Sequence, residues 1–193
     1  MIIPRPPSRQ PIPPDARRVF KGRLFDVYQW EQRLFDGSTA TFEKLKRPDT
    51  AYVIPLTADR KLVLAEQEQP GASAVIGLLG GRLEDGEAQE EAASRELLEE
   101  AGLMANDLIL WDSYQFLPKL DWAIYTFIAK DCKRVRDQSL DAGESIRLIE
   151  VSFDEFLDLV RQDRFGDLEV ALRVLRIAMD PRRLKETREL FEG

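Results

Sequence analysis

The order of apolar patterns along the chain predicts an α+β fold, an α/β/α sandwich in which a few helices cover a mixed β-sheet. Three observations carry this. Strand-like runs rich in branched and aromatic residues fill the first half. A single stretch of helical spacing follows Gly86. Further strand-like runs then give way to two amphipathic helices. At 193 residues the chain can bury one core well and is short for two. We read a proline-rich arm over residues 1–18, one domain over 19–180 and a tail over 181–193.

The arm carries Pro4, Pro6, Pro7, Pro11, Pro13 and Pro14, so it is expected to be extended or disordered until it meets a partner surface. From Leu24 the run Leu24-Phe25-Asp26-Val27-Tyr28-Gln29-Trp30 suits a pleated, half-buried surface, and it continues to Phe35. Asp36-Gly37 supplies the positive φ of a tight turn, and Ser38 to Leu45 is the returning strand of a hairpin. Ala51 to Leu56 and Leu62 to Glu68 read as a second strand pair around the polar turn Thr57-Ala58-Asp59-Arg60, and Val75 to Leu79 as a third short apolar run. Ala88, Ala92, Ala93, Leu97 and Ala101 then recur at helical spacing, ending at Gly102, which predicts a helix over Glu87 to Ala101. Leu108 to Leu117, Trp122 to Ala129 and Ile146 to Val151 read as strands. Ser152-Phe153-Asp154-Glu155 is a capping box opening a helix to about Arg161, and Leu168 to Met179 has the spacing of another.

Composition narrows the function. A net charge of −7 argues against a general nucleic-acid or anionic-membrane surface, and an acidic protein handling anions needs a local cation. The lone Cys132 offers neither an intrachain disulfide nor a thiolate zinc site. The absence of histidine removes Ser-His-Asp triads, Cys-His pairs and imidazole acid-base chemistry together. Catalysis must run on carboxylates, lysine, tyrosine or metal. The first residues lack the apolar core of a signal peptide, and no later run approaches the roughly 20 apolar residues that span a bilayer, so the expectation is a soluble, cytoplasmic protein.

One segment, Gly81 to Leu103, concentrates the chemistry. Glu96, Glu99 and Glu100 stand three and four apart and project from one side of a helix, with neighbouring Cβ atoms about 5–6 Å apart. Like charges so placed destabilise a helix by a few tenths of a kcal/mol per pair, roughly, and a hard divalent cation offsets that. Mg²⁺ prefers oxygen ligands, keeps several waters and binds through few carboxylates plus substrate phosphate. Arg95 lies four before Glu99 and offers one carboxylate a guanidinium instead. The bland reading of such a cluster is a solvated acidic helix face.

The full pattern decides against the bland reading. Gly81, Glu87, Arg95, Glu96, Leu97, Glu99, Glu100, Gly102 and Leu103 resemble the Nudix box, G-x5-E-x7-R-E-U-x-E-E-x-G-U with U a bulky aliphatic residue, at every specified position. A chance match in a chain this long is on the order of a few in a hundred million. The resemblance implies a Nudix fold and hydrolysis of a nucleoside diphosphate linked to another moiety. It implies Glu96, Glu99 and Glu100 as ligands of Mg²⁺, with Mn²⁺ as an alternative ion and the carbonyl of Gly80 as an added ligand. It implies a salt bridge between Glu87 and Arg95, and packing roles for Ala93, Leu97 and Leu98.

Beyond the box, roughly Val19 to Met179 is most similar to the ADP-ribose pyrophosphatase branch. The hairpin ending Leu34-Phe35-Asp36-Gly37, the downstream Pro118 and Gly143-Glu144-Ser145-Ile146-Arg147 before a capped helix carry that likeness. It implies Glu144 as a loop carboxylate that joins Glu99 in catalysis. It also implies a homodimer paired through the amino-terminal region. Where the branch commonly has R-Q-Y-R and E-L-P-A-G, this chain has Glu66-Gln67-Glu68-Gln69 and Gly77-Leu78-Leu79-Gly80-Gly81, which removes bidentate phosphate donors. Trp30, Phe116 and Trp122 are aromatic platforms for a base, although such rings in strands more often pack in cores. Gln67 and Gln69 are hydrogen-bonding candidates. The competing class is a non-catalytic nucleotide-binding sensor module, expected to lose box carboxylates that are all retained here.

Overall fold

In a computed structural model that describes residues 3–140 and 142–193, the first half of the chain is built from strands. β1 (Arg17–Lys21), β2 (Asp26–Arg33) and β3 (Thr39–Lys46) form an antiparallel ribbon, with Trp30 opposite Phe42. The Asp36-Gly37 turn closes as the dipeptide predicts: Gly37 takes φ +88°, and Asp36 accepts from the Ser38 N–H at 3.0 Å. β1 was not foreseen. All five of its residues are exposed, so it carries no apolar alternation, and it exists as an edge strand through its pairing with β2.

β4 (Thr50–Pro55) and β5 (Leu62–Glu68) fall where expected, but they are not a paired hairpin. One bridge, Leu56 to Leu62, joins them before they part into different sheets. β4 is flanked by β7 (Leu79–Arg82) on one edge and β11 (Ala123–Lys130) on the other, while β5 lies between β6 (Val75–Gly77) and β13 (Ser145–Val151). With both edges of each strand taken, a β4–β5 ladder has no room. The run Val75 to Leu79 is split for the same reason, since the chain changes sheets at Leu78, whose N–H is taken by Asp167 at 2.7 Å.

α1 (Gln89–Ala101) follows the box loop and ends at Gly102, in the left-handed region with φ +66°. Its N–H reaches the Leu98 carbonyl at 3.1 Å. Two-residue strands β8 (Leu103–Met104) and β12 (Lys133–Arg134) pair with each other. β9 (Asp107–Gln115) runs antiparallel to β11, and β10 (Leu120–Asp121) adds to the ribbon parallel to β3. The sheet order β7-β4-β11-β9 is mixed because β4 and β11 run parallel.

The period-2 alternation of that sheet sets the layers. Ala51, Val53, Ala123, Tyr125 and Phe127 face α1, packing with Ala92, Ala93, Leu97 and Ala101. Tyr52, Ile54, Ile128 and Trp111 face the other way, onto α2 (Phe153–Leu159), α3 (Leu168–Ala178) and α4 (Pro181–Glu192). This is the α/β/α sandwich the sequence predicts. Each fully buried large side chain, such as Phe127 or Phe156, contributes about 1.5–3 kcal/mol of transfer free energy. α2 opens on the foreseen capping box, the Ser152 hydroxyl accepting from the Glu155 N–H at 3.2 Å and the Glu155 carboxylate from the Ser152 N–H at 2.7 Å.

Two terminal segments differ from their sequence reading. Of residues 181–193, read as a tail, Pro181–Glu192 form α4: Asp180 caps the Arg182 N–H at 3.0 Å, Pro181 starts the helix, and Phe191 is fully buried. The arm is extended, as prolines dictate, but it lies on this chain's own domain. Ile3 packs on the α1-side core, and Gln115 donates to the Pro6 carbonyl at 2.9 Å. The buried Lys44 ammonium donates to the Ser8 hydroxyl at 2.7 Å and the Gln10 carbonyl at 2.6 Å. Among the described residues no helix is long and apolar enough to cross a membrane.

Candidate active site

The site grows from the loop between β7 and α1. The Glu87 carboxylate accepts from Arg95 twice, at 2.8 and 3.1 Å, and from the Glu84 N–H at 2.9 Å. Arg95 also donates to the Arg82 carbonyl at 3.2 Å, so a single guanidinium staples loop to helix. Hydrogen bonding to Arg95 holds the Glu87 carboxyl below its ordinary range.

The buried stripe Ala92, Ala93, Leu97 and Ala101 fixes the rotation of α1, and Glu96, Glu99 and Glu100 emerge along the flank of that stripe. They line a cleft of about 610 Å³ together with Gly80, Gly81 and Glu144, the last on the loop before β13. β7 comes close to the helix only because it is glycine there. A Cβ on Gly81 would strike the Glu96 carboxylate, and one on Gly80, at φ +138°, would strike the β4 backbone at Ala51 and Tyr52. The Gly80 N–H donates to Glu100 at 2.7 Å. Gly80→Ala is therefore expected to cost about 2–4 kcal/mol of stability, through strain and backbone overlap. Gly81→Ala would instead displace a flexible carboxylate, with lost turnover and a nearly unchanged melting midpoint. Thermal melts beside rate measurements separate the two, and equal melting midpoints for both variants would refute the distinction.

Burial pushes the Glu100 carboxyl up to about 8, against the pull of the Gly80 N–H and with the charges of Glu96 and Glu144 adding to the rise. Burial likewise raises Glu96, opposed by Arg95 and reinforced by Glu99 and Glu144. Acidic groups crowded and desolvated in this way are what a divalent cation relieves. Among the described residues no three of these side chains close on one point as a finished cage. Glu100 is turned to Gly80, while Glu96 and Glu99 accept from Arg95 at 2.8 and 3.1 Å. Mg²⁺ needs only one or two carboxylates, its remaining positions going to water and phosphate, so the donor set fits it in type and number.

Arg47 and Arg82 also line the same cleft. Sequence reading missed Arg47. Its Nε is buried without a hydrogen-bond partner among the described residues, and its guanidinium lies 4.6 Å from the centroid of the Trp122 ring. Trp122 thus supports Arg47 and donates to the Thr50 hydroxyl at 2.9 Å, and it is not itself a lining residue. Gln69 lies in an adjoining recess with Glu68, Gly143 and Glu144. Trp30 is buried in the ribbon against Phe42, its indole N–H on Gln32 at 3.1 Å. Neither lines the main cleft.

Behind the cleft, sequence reading also missed Asp167. Its carboxyl sits at the start of α3, accepting from Leu78, while Tyr52 donates to nearby Glu169 at 2.9 Å. Burial pushes Asp167 up to about 7. The folded state then binds this proton more tightly than the unfolded chain, whose aspartate titrates near ~4. Stability is thus lost as pH rises through the window from roughly 4 to about 7 and levels off above it. Asp167→Asn removes that loss. The stability difference between variant and wild type should move in the variant's favour across the window in urea titrations, and a pH-independent difference would disprove the assignment.

Sheet order, box loop and cleft define the class, an α/β/α sandwich presenting an acidic helix flank to a walled cleft. The model of the NUDIX domain family matches residues 46–171, more than half of the chain, so the chain belongs to the Nudix family. By class it is a Nudix pyrophosphohydrolase. The methanol dehydrogenase activator of Bacillus methanolicus is 29% identical over 82% of this chain and 88% of the relative. The ADP-ribose pyrophosphatase of Bacillus subtilis (strain 168) is 27% identical over 81% and 86%. The crystal structure of an ADP compounds hydrolase shares the fold, with a TM-score of 0.70 at 24% identity over 88% of this chain and 94% of that one.

Proposed function

We propose that this protein is a magnesium-dependent pyrophosphohydrolase that cleaves a nucleoside diphosphate linked to another moiety, of the ADP-ribose or nucleotide-sugar type. The observation that carries the reading is the juxtaposition of Glu96, Glu99, Glu100 and Glu144 with Arg47 and Arg82 around one cleft. Carboxylates alone repel a diphosphate; carboxylates that hold cations, opposite arginines, accept one.

Glu96, Glu99, Glu100 and the Gly80 carbonyl would hold the ions, which when bound supply charge neutralisation at the attacking and leaving oxygens. The Glu87–Arg95 staple fixes the loop that joins α1 to β7, the strand that carries Gly80. Glu99 and Glu144 would take a proton from water, and Arg47 and Arg82 would orient the phosphates. The similarity to the ADP-ribose pyrophosphatase of Bacillus subtilis supports an ADP-linked substrate. Assaying ADP-ribose, GDP-mannose, dinucleoside polyphosphates and nucleoside triphosphates with Mg²⁺ and with Mn²⁺ tests this. Turnover of none of them, with nucleotide still bound, would instead favour the sensor module.

The assembly we propose is a homodimer paired through the ribbon, which leaves Val19, Phe20, Leu24 and Phe25 exposed on and beside β1. Light scattering should give twice the chain mass of 22.2 kDa, and Phe20→Glu should halve it. A monomeric wild type would rule the dimer out.

A further inference from the structure

Within the amino-terminal arm, Arg5 forms a fork that reaches two points of the domain. Arg5 Nε and Nη2 donate to the two oxygens of Asp49 at 2.8 and 2.9 Å, and Nη1 donates to Asp121 at 3.2 Å. Asp49 follows Arg47 by two residues. Asp121 precedes Trp122, and its carbonyl accepts the Arg47 N–H at 3.3 Å. The fork therefore grips both segments that carry the cleft arginine and the ring beneath it. Asp49 is also built into the box side of the site. Its carboxylate accepts the Ala123 N–H at 2.8 Å, and its carbonyl accepts the Leu83 N–H at 2.9 Å, one residue beyond Arg82.

We propose that Arg5 is a positioning residue for the cleft: by bridging Asp49 and Asp121 it holds Arg47 on Trp122, and so aims the cation that would meet the substrate's phosphates. The functional half of this inference rests on the pyrophosphohydrolase reading above; the clamp itself does not. Both carboxylates are largely buried, with side-chain exposures of 16% and 12%. Without the guanidinium between them they repel, and the two segments lose the tie that sets their spacing. The arm is held in place to serve this role from the other side, because Lys44 anchors Ser8 and Gln10. A planar fork making three hydrogen bonds is a task for arginine, and lysine reproduces its charge but not its geometry.

The test uses the full-length chain with ADP-ribose and Mg²⁺. R5A should raise KM by about tenfold with kcat within about twofold, and R5K should restore part of the loss. R47A should raise KM at least as much, and R5A/R47A should be no worse than R47A alone, because Arg5 acts through Arg47. An unchanged KM in R5A, or effects of the two substitutions that multiply, would overturn the proposal. Should R5A fold poorly, D121A removes the Asp121 contact, leaves the two to Asp49, and supplies the same comparison. A second readout does not depend on turnover. In a W30F/W111F background Trp122 is the only tryptophan, and R5A should increase its quenching by acrylamide, with R5K intermediate. If the wild-type protein hydrolyses no ADP-ribose, the functional reading fails and the fluorescence decides the clamp by itself, unchanged quenching refuting it.

Discussion

Glu100→Gln is expected to lower kcat by about 10²- to 10³-fold, the scale of removing one preorganised charged group from a desolvated site, and to leave the protein as stable as before or more so. Both halves follow from the same geometry. Glu100 is buried at the base of the cleft and accepts the Gly80 N–H, and an amide oxygen of the same shape can accept it equally. What the amide cannot do is carry the negative charge that holds a dication. Burial already pushes the native carboxyl up to about 8, which is a statement that the ion-free fold prefers this position neutral. The substitution therefore lifts a strain on the fold while it removes the function. Rates with Mg²⁺, calorimetric titration of metal and a melting curve check the three parts. Wild-type turnover in the variant would discredit Glu100 as a ligand, and a collapsed melting midpoint would show that the carboxylate is structural.

The contrast between Glu100 and Arg47 shows what was legible in the sequence. Glu96, Glu99 and Glu100 sit on a single helix, where spacing of three and four residues converts directly into a shared face, and the glycines on either side mark where the loop and the cap must be. Arg47 reaches the same cleft from the end of β3 through a contact with Trp122, dozens of residues away, and no local period encodes such a meeting. Asp167 is hidden in the same way, since its partner is the lone N–H left over where the chain crosses from β6 to β7. Apart from β1 and the two-residue strands, the strand positions were readable from apolar runs, but the separation of β4 from β5 was not. Proximity in sequence favours a hairpin, and only the competition of β7, β11, β6 and β13 for the same edges decides otherwise. At the termini the composition misled in opposite directions. Prolines made the arm look free although Arg5, Ser8 and Gln10 bind it down, and a run of charges in Pro181–Glu192 masked a helix whose start was written in Asp180-Pro181.

That last helix supports the second large effect. Phe191→Ala should destabilise the protein by about 3–5 kcal/mol, the range for deleting a buried phenyl ring. The ring is fully buried between Trp111 on β9, at 5.4 Å and nearly perpendicular, and Phe153 at the start of α2, also at 5.4 Å. It is thus a central contact through which α4, with Leu184 and Leu190, closes the helical layer over the central sheet, and its loss leaves a cavity that neither neighbour can fill without leaving its own place. For a domain of this size each kcal/mol moves the melting midpoint by about 2–4 °C, so the variant should melt roughly 6–20 °C lower. The cleft lies on the α1 side of the sheet, and its lining residues include none from α2 or α4. Well below the new midpoint, kcat and KM should therefore stay near wild type, the opposite signature to Glu100→Gln. A midpoint lowered by less than about 3 °C would mean that α4 unfolds apart from the cooperative core, and reduced kcat at low temperature would mean that the helical layer couples to the cleft through the sheet.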